Sequence, residues 1–275
     1  VKITTLIDNS KDSTGLANEW GLSLHLEAND QRVLFDSGAS SAFAKNAEML
    51  KIDLAKVDMA ILSHGHFDHG GGLGSFFLFN KTAPLYLRKT ADGDYYSKSL
   101  FRTRYVGLDR ELLEANRGRL SWVETDMQIR PGLHVLASIP DDEPKPDTRK
   151  DLLVQTAQGF SPDTFKHELV LVVEEQDGIS VITGCGHLGV LNMVLAAKRR
   201  FPEVPIKAVI GGFHMIAAPI ARRKAEVRAL ASRFKDLGCR RIISGHCTGR
   251  RALSVLRREL GDGFAQLTTG STFEV

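Results

Sequence analysis

The chain has 275 residues, 43% of them hydrophobic and 25% charged, which excludes wholesale disorder and leaves ample apolar material for a core. The charge balance of 36 − 33 = +3 is too small to name a partner. Three cysteines are an odd count that supports no disulfide framework and points to a reducing cytoplasm.

The start, VKITTLIDNS, lacks a basic-then-apolar leader layout and reads at once as a strand. Residues 2–7, 22–27 and 32–36 alternate apolar and polar side chains between turn residues, the pattern of short strands. Residues 40–50 read as a helix, and the apolar run 59–62 as a buried strand. Residues 89–162 break this rhythm. They carry Tyr95, Tyr96, Arg102, Arg104 and Tyr105 and then an acidic, proline-rich piece at 140–147. An insertion or lid over the site is expected there, closing on substrate and setting its choice.

Residues 168–174 and 179–183, joined by Gln-Asp-Gly, form a predicted hairpin. Strand and helix then alternate, with helices at 188–200, 221–237 and 249–260 and strands at 207–210 and 241–244. In the middle helix Val227, Leu230, Ala231, Phe234 and Leu237 share one face, and Gly238 supplies the stop. Helices with one apolar face imply sheets covered on their outer sides, giving α/β layers stacked α-β-β-α. The whole span 1–275 is expected to be one such domain, with 89–162 as its insertion.

No apolar run reaches the roughly 18 residues of a membrane span. The longest candidate, residues 204–221, is interrupted by Pro205, Lys207, His214 and Pro219, so no membrane partner is expected. Between Leu195 and Leu260, sixteen Lys/Arg stand against four Asp/Glu. That excess reads either as solvated helix faces or as a positive field favouring an anionic substrate such as a phosphate. It brings no base-reading motif with interleaved aromatics, so nucleic acid is not expected. Oligomeric state is left open.

The chemistry concentrates in Ser63-His64-Gly65-His66-Phe67-Asp68-His69-Gly70-Gly71-Gly72, an H-x-H-x-D-H pattern directly after an apolar strand. A tight turn at the strand end would fan four side chains into one small volume. His64 and His66, two residues apart, can converge on one cation, with Asp68 and His69 displaced toward a second. Imidazole and carboxylate suit Zn2+, with Mn2+ or Fe2+ also possible. Histidines merely satisfied within a glycine-rich turn are the bland alternative, disfavoured because four packed ionisable groups need a counter-charge.

With that motif in place, the sequence resembles the metallo-β-lactamase superfamily, whose αββα sandwich holds one or two metal ions at the sheet ends. Leu34-Phe35-Asp36-Ser37-Gly38 is similar to the family's early turn, where the aspartate supports the metal loop. Ile182-Thr183-Gly184-Cys185-Gly186-His187 ends a strand where the family places further ligands. Ser244-Gly245-His246-Cys247 matches its last histidine. Glu19-Trp20-Gly21-Leu22-Ser23-Leu24, Gly211-Gly212-Phe213-His214-Met215 and His246-Cys247-Thr248-Gly249 resemble one branch in particular. Its members are described as dihydropterin-methyl-ribofuranosylaminobenzene-phosphate synthases, linked to methanopterin assembly. Trp20 and Gly186 stand where a His and a Ser are expected in that branch.

The resemblance implies His246 as a ligand, and His187 as the residue completing the first site with His64 and His66. Cys185 falls where relatives carry a bridging Asp or a Cys, so it is either a thiolate ligand or a buried structural thiol. His167 and Glu168 fall where many relatives have a third His, with an exposed strand-end role as the alternative for His167. Asp68 and His214 are the catalytic candidates. Asp68 would orient the nucleophile or relay its proton, and His214 would face substrate or leaving group. His25 and His134, inside strands, are expected to be structural.

The implied activity is metal-dependent hydrolysis, or a pterin-type synthesis, on an anionic, phosphorylated small molecule. A nuclease or phosphodiesterase of the same fold and a slow-turnover binding regulator remain as alternatives. A di-iron redox protein is disfavoured by His66 and by chain length.

Overall fold

The alternating segments assemble into two seven-stranded sheets in a computed structural model that describes residues 1–11, 15–100, 102–147, 151–216 and 220–275. In chain order the elements begin with β1 (Lys2–Ile7), β2 (Ser23–Ala28), β3 (Gln31–Phe35), α1 (Ala42–Met49), β4 (Met59–Ile61), α2 (Phe67–Gly70), α3 (Leu73–Phe79) and β5 (Leu85–Arg88). There follow β6 (Tyr95–Ser99), β7 (Arg102–Tyr105), α4 (Arg110–Ala115), β8 (Leu120–Val123), β9 (Met127–Arg130), β10 (Leu133–Leu136), β11 (Leu152–Thr156) and β12 (Gly159–Pro162). The last third holds β13 (Val170–Glu175), β14 (Gly178–Ile182), α5 (Val190–Arg200), β15 (Ile206–Gly211), α6 (Ile220–Asp236), β16 (Arg241–Ser244), α7 (Arg250–Leu260), β17 (Phe264–Gln266) and β18 (Thr272–Glu274).

The first sheet runs β18-β1-β2-β3-β4-β5-β8 and the second β17-β16-β15-β14-β13-β10-β9. Because side chains alternate faces along a strand, each sheet presents two apolar surfaces. Ile3, Leu24, Leu26, Val33 and Phe35 meet Leu133, Val135, Leu171, Val173 and Ile210 between the sheets. On the outer face of the first sheet Leu6, Leu34 and Leu62 lie under Phe43, Ala47, Phe76 and Phe77 of α1 and α3. On the outer face of the second, Val172, Val181 and Val209 pack against Val194, Val227, Phe234 and Leu256 of α5, α6 and α7. Each such side chain contributes roughly 1.5–3 kcal/mol of burial. These three apolar layers make the four-layer αββα stack that the amphipathic helices imply.

Strand direction places the site. β3 and β4 run parallel, as do β14, β15 and β16, so the loops leaving their carboxyl ends emerge on one side of the sandwich. Those loops carry Asp36, the His64–His69 segment, Cys185 with His187, His214 and His246. Ligands in open α/β sheets gather outside such carboxyl ends.

Residues 89–162 correct the insertion reading in part. Their middle is sheet: β8 pairs with β5 in the first sheet, and β9 and β10 build the edge of the second. Only the flanks, β6–β7 and β11–β12, form a separate four-stranded sheet of order β12-β11-β6-β7. Residues 101 and 148–150 of the segment lie outside those described. Among the described residues no helix is long and apolar enough to cross a membrane.

Candidate metal centre

Short β4 delivers the motif. After Ile61 and Leu62 the chain turns through Ser63–His66, and α2 is a single helical turn with His66 at its N-cap. Glycine is required here by close approach. A Cβ at Gly65 would lie 2.2 Å from the Ala91 carbonyl oxygen, and one at Gly72 2.2 Å from that of Ser37. The backbone is pinned further: Ser37 N–H donates to the His69 carbonyl (2.7 Å), and Leu22 N–H to that of Asp68 (3.2 Å).

Asp36 holds the histidines in orientation. Its Oδ1 accepts Ser63 N–H at 2.7 Å, and its Oδ2 accepts both Ser63 Oγ–H and His69 Nδ1–H at 2.7 Å. A carboxylate only accepts, so His69 carries its proton on Nδ1 and presents a lone pair at Nε2. The Ser63 hydroxyl proton is committed to Asp36. His64 Nδ1, 2.9 Å from that hydroxyl oxygen, therefore donates to it, and His64 also presents Nε2. On the far side His246 Nδ1 lies 3.0 Å from Asn9 Oδ1, and the same oxygen accepts Gly21 N–H at 3.1 Å, which sets the amide's orientation. That leaves Nε2 of His246 facing inward; burial would lower this imidazole, but Cys247, Asp68 and Asp8 outweigh it and raise it to about 9, so a cation bound there displaces a proton. Such supporting bonds fix the tautomers of histidines that bind metals.

The lone pairs converge in two groups. His64 Nε2 is 3.0 Å from His66 Nδ1, and the His187 ring lies 4.9 Å from that of His64 and 5.1 Å from that of His66. In the second group His69 Nε2 is 3.2 Å from His246 Nε2 and 3.2 Å from Cys185 Sγ. Asp68 Oδ2 stands 3.8 Å from His69 Nε2 and 3.5 Å from His246 Nε2. The Cys185 sulfur belongs to both, lying within 4.8 Å of ligand atoms of His64 and His187 and of those of His69 and His246. The six residues expected as ligands, His64, His66, Asp68, His69, His187 and His246, are thus brought together, with Cys185 between them. Both ring nitrogens of His187 and the Nε2 of His66 are buried without a hydrogen-bond partner. Orphaned buried nitrogens are costly by themselves, and together with the converging imidazole nitrogens of His69 and His246 they fit a cation.

Electrostatics keeps the first group ready to ligate. Burial, with neighbouring histidines, holds His64 and His187 well below the ordinary imidazole range and His66 at about 3. Burial alone would raise Asp68, but His69 and His246 outweigh it and hold the carboxyl well below its usual range. Burial, then Cys247, pushes the Cys185 thiol up; a coordinated cation reverses that.

His167 is close yet committed elsewhere. Its Nδ1 accepts Gly65 N–H (2.9 Å) and its Nε2 faces Asp163 Oδ2 (2.9 Å), so no lone pair remains, and it supports the motif loop. Glu168 accepts the backbone N–H groups of His187 (2.9 Å) and Leu188 (2.8 Å), and burial raises its carboxyl to about 8. It therefore positions His187 through the backbone. His214 sits at the rim, its ring 4.2 Å from that of His187 and its N–H donating to Cys247 Sγ at 3.3 Å. His25 and His134 lie in β2 and β10, outside both ligand groups. Asp8 and Asn9 were not legible as site residues; Asp8 Oδ2 accepts His246 N–H at 2.6 Å. Asp36, His214 and His246 all have left-handed backbone, with φ of 58°, 48° and 47°, local strain of the kind stored at functional sites.

A cleft of about 550 Å3 opens above the ligands, lined by Trp20, Phe67, Arg102, Arg104, His214 and Ile216 among others. A larger depression of about 700 Å3 lies at the chain termini among Lys2, Arg32, Asp58 and Glu175; no ligand-type cluster lines it among the described residues.

Fold and residue cluster together define an αββα protein with a candidate metal centre. A family model for the metallo-beta-lactamase superfamily matches residues 22–191, and the chain belongs to that superfamily. It is 30% identical, over 98% of its length and 95% of the relative's, to a Methanocaldococcus jannaschii protein named 7,8-dihydropterin-6-methyl-4-(beta-D-ribofuranosyl)-aminobenzene-5'-phosphate synthase. It is also similar to a solved structure described as a metal-dependent hydrolase of the beta-lactamase superfamily, at 32% identity and a TM-score of 0.84, covering 100% of this chain and 98% of that one. Zn2+-bound PqqB from Methylobacterium extorquens, at 11% identity and a TM-score of 0.61 over 100% of both chains, shares the fold.

Proposed function

We propose that this chain is a metal-dependent enzyme that holds two divalent cations and acts on an anionic, phosphorylated small molecule. The observation that carries it is the convergence of the Nε2 atoms of His69 and His246, 3.2 Å apart, each aimed inward by the acceptor on its Nδ1, Asp36 or Asn9. His64, His66 and His187 would hold the first ion. Asp68, His69 and His246 would hold the second, with the Cys185 thiolate between them. The mixture of imidazole, carboxylate and thiolate suits Zn2+ first, then Fe2+ or Mn2+. Bound there, such ions supply Lewis acidity and lower the pKa of a coordinated water.

The chain's own groups supply the rest. Asp68 bears one oxygen near both His69 and His246, so its carboxylate can orient the attacking group and take its proton. His214 on the rim can donate to a departing oxygen or stabilise negative charge developing on it. Hydrolysis uses this arrangement directly. Synthesis, with a ring nucleophile displacing pyrophosphate, uses the same cation-lined cleft, and the name of the 30% identical relative supports that version.

The test is metal content by plasma spectrometry beside turnover of phosphodiesters, phosphomonoesters, lactones and thioesters with Zn2+, Mn2+ or Fe2+. Up to two ions per chain and metal-dependent turnover of a phosphate ester are expected. A nuclease would show as preference for polynucleotide, and a slow-turnover regulator as tight ligand binding without rate. No bound transition metal under any loading condition sinks the proposal. His214→Ala should leave metal content unchanged and lose rate mainly on esters with poor leaving groups. A metal-depleted His214→Ala would instead place His214 among the ligands.

A further inference from the structure

We infer that the small sheet beside the metal centre carries a second anion site, built on Arg102 and Arg104, that takes a distal phosphate of the substrate. This rests on the reading of the site as one for phosphorylated small molecules and specifies how such a molecule is gripped away from the reacting bond.

The placement comes from register. β7 pairs antiparallel with β6, setting Arg104 opposite Ser97 and Arg102 opposite Ser99. Directly opposed residues share a face, and all four line the cleft above the metal ligands. One sheet face therefore offers two guanidinium groups beside the Ser97 hydroxyl, a donor set matched to a tetrahedral oxyanion, while the Ser99 hydroxyl donates to the Arg102 carbonyl at 3.1 Å. The carboxylates lining the cleft are Asp68, committed to the histidines, and the exposed Asp151. Neither arginine forms an ion pair among the described residues. By contrast Arg110, on the same segment, is paired with Asp94 at 3.1 Å.

The arginines are also indexed to the metal loop. Phe67 N–H, between ligands His66 and Asp68, donates to the Val106 carbonyl at 2.8 Å, just past the end of β7. The Arg104 guanidinium lies over the Phe67 ring, 5.1 Å from its centroid, a cation–π contact that holds it at the cleft floor. At about 3.3 Å per residue, Arg104 and Arg102 lie roughly 7 and 13 Å along the strand from Val106. An anion gripped by Arg102, the farther of the two from the metal loop, is a second anionic group of the substrate rather than the reacting one. Across the cleft Trp20, 45% exposed with its ring 5.2 Å from that of His246, offers a flat apolar face to the part between them.

Thymidine 5'-monophosphate and thymidine 3',5'-bisphosphate, which differ by one phosphate, are suitable probes by isothermal titration on the zinc-loaded protein. The bisphosphate should bind the unaltered chain about 10-fold or more tightly than the monophosphate, as charge-assisted hydrogen bonds allow. In Arg102→Gln/Arg104→Gln that advantage should vanish, with monophosphate affinity and zinc content unchanged. Equal affinity for the two probes in the unaltered chain overturns the second site, and so does an advantage that survives in the double variant. Absence of metal-dependent turnover on any ester would instead count against the enzymatic reading, while the bisphosphate comparison still decides the arginine site.

Discussion

Asp68→Asn should retain one tightly bound metal ion yet lose at least ~10²-fold in turnover, the size expected when a positioned acid–base group is removed. His64, His66 and His187 form a group of their own that does not require Asp68. The Asp68 carboxylate belongs to the other group, 3.5 Å from His246 Nε2 and 3.8 Å from His69 Nε2. Asparagine keeps the shape, removes a negative charge and replaces an acceptor by an amide donor. The second ion should then be bound weakly, and the group that orients the nucleophile is gone. Plasma spectrometry after dialysis, beside kcat on an activated phosphate ester, separates the two effects. Near-normal kcat in the variant would overturn the role given to Asp68.

The fold was legible where patterns are local. β1, β4 and the β14-to-α7 alternation each carry their own period, and the structure reproduces them within a residue or two. The clustering of the central motif was legible for the same reason, with four candidate ligands inside six residues at a strand end. That His187 and His246 join this cluster was legible because both follow buried strands and both match landmarks of the resembled family.

What stayed hidden depends on long-range closure. Asn9 and Asp8 orient His246 across 237 and 238 residues of chain. Asp8 and Asn9 follow β1 of the first sheet and His246 follows β16 of the second, so only the packing of one sheet on the other makes that contact possible. The small sheet escaped notice because every residue of β7 is exposed, so its sequence shows no apolar alternation. α3, seven residues of which five are Leu or Phe and without a side-chain cap, gives no sign that separates helix from buried strand. Cys185 was ambiguous because sequence cannot show that one sulfur faces two ligand groups.

Asp36→Ala is expected to cost several kcal/mol of folding stability, about 1–3 kcal/mol for each buried donor left without its acceptor. It should also weaken metal binding about 10–100-fold, a typical size for loss of a group supporting the ligands. Asp36 and Ser63 are both buried, and Ser63 N–H, Ser63 Oγ–H and His69 Nδ1–H all end on this one carboxylate. Alanine leaves three donors without an acceptor. It also frees His69 and, through Ser63, His64 to place their protons on Nε2, where a cation would have to displace them. Backbone strain adds a smaller part, since φ at residue 36 is 58° and alanine tolerates that region less well than aspartate or asparagine. Asp36→Asn separates the contributions. It keeps the backbone preference and one acceptor, but turns an amide N–H2 toward donors. If hydrogen bonding dominates, asparagine should recover little of the stability and almost none of the metal affinity. If strain dominates, it should recover most of both. Urea denaturation in the presence of chelator gives the first quantity, and competition with a chromogenic zinc chelator the second. Asp36→Ala within about 1 kcal/mol of the unaltered chain, with unchanged metal affinity, would show that the histidines are oriented by the loop backbone alone.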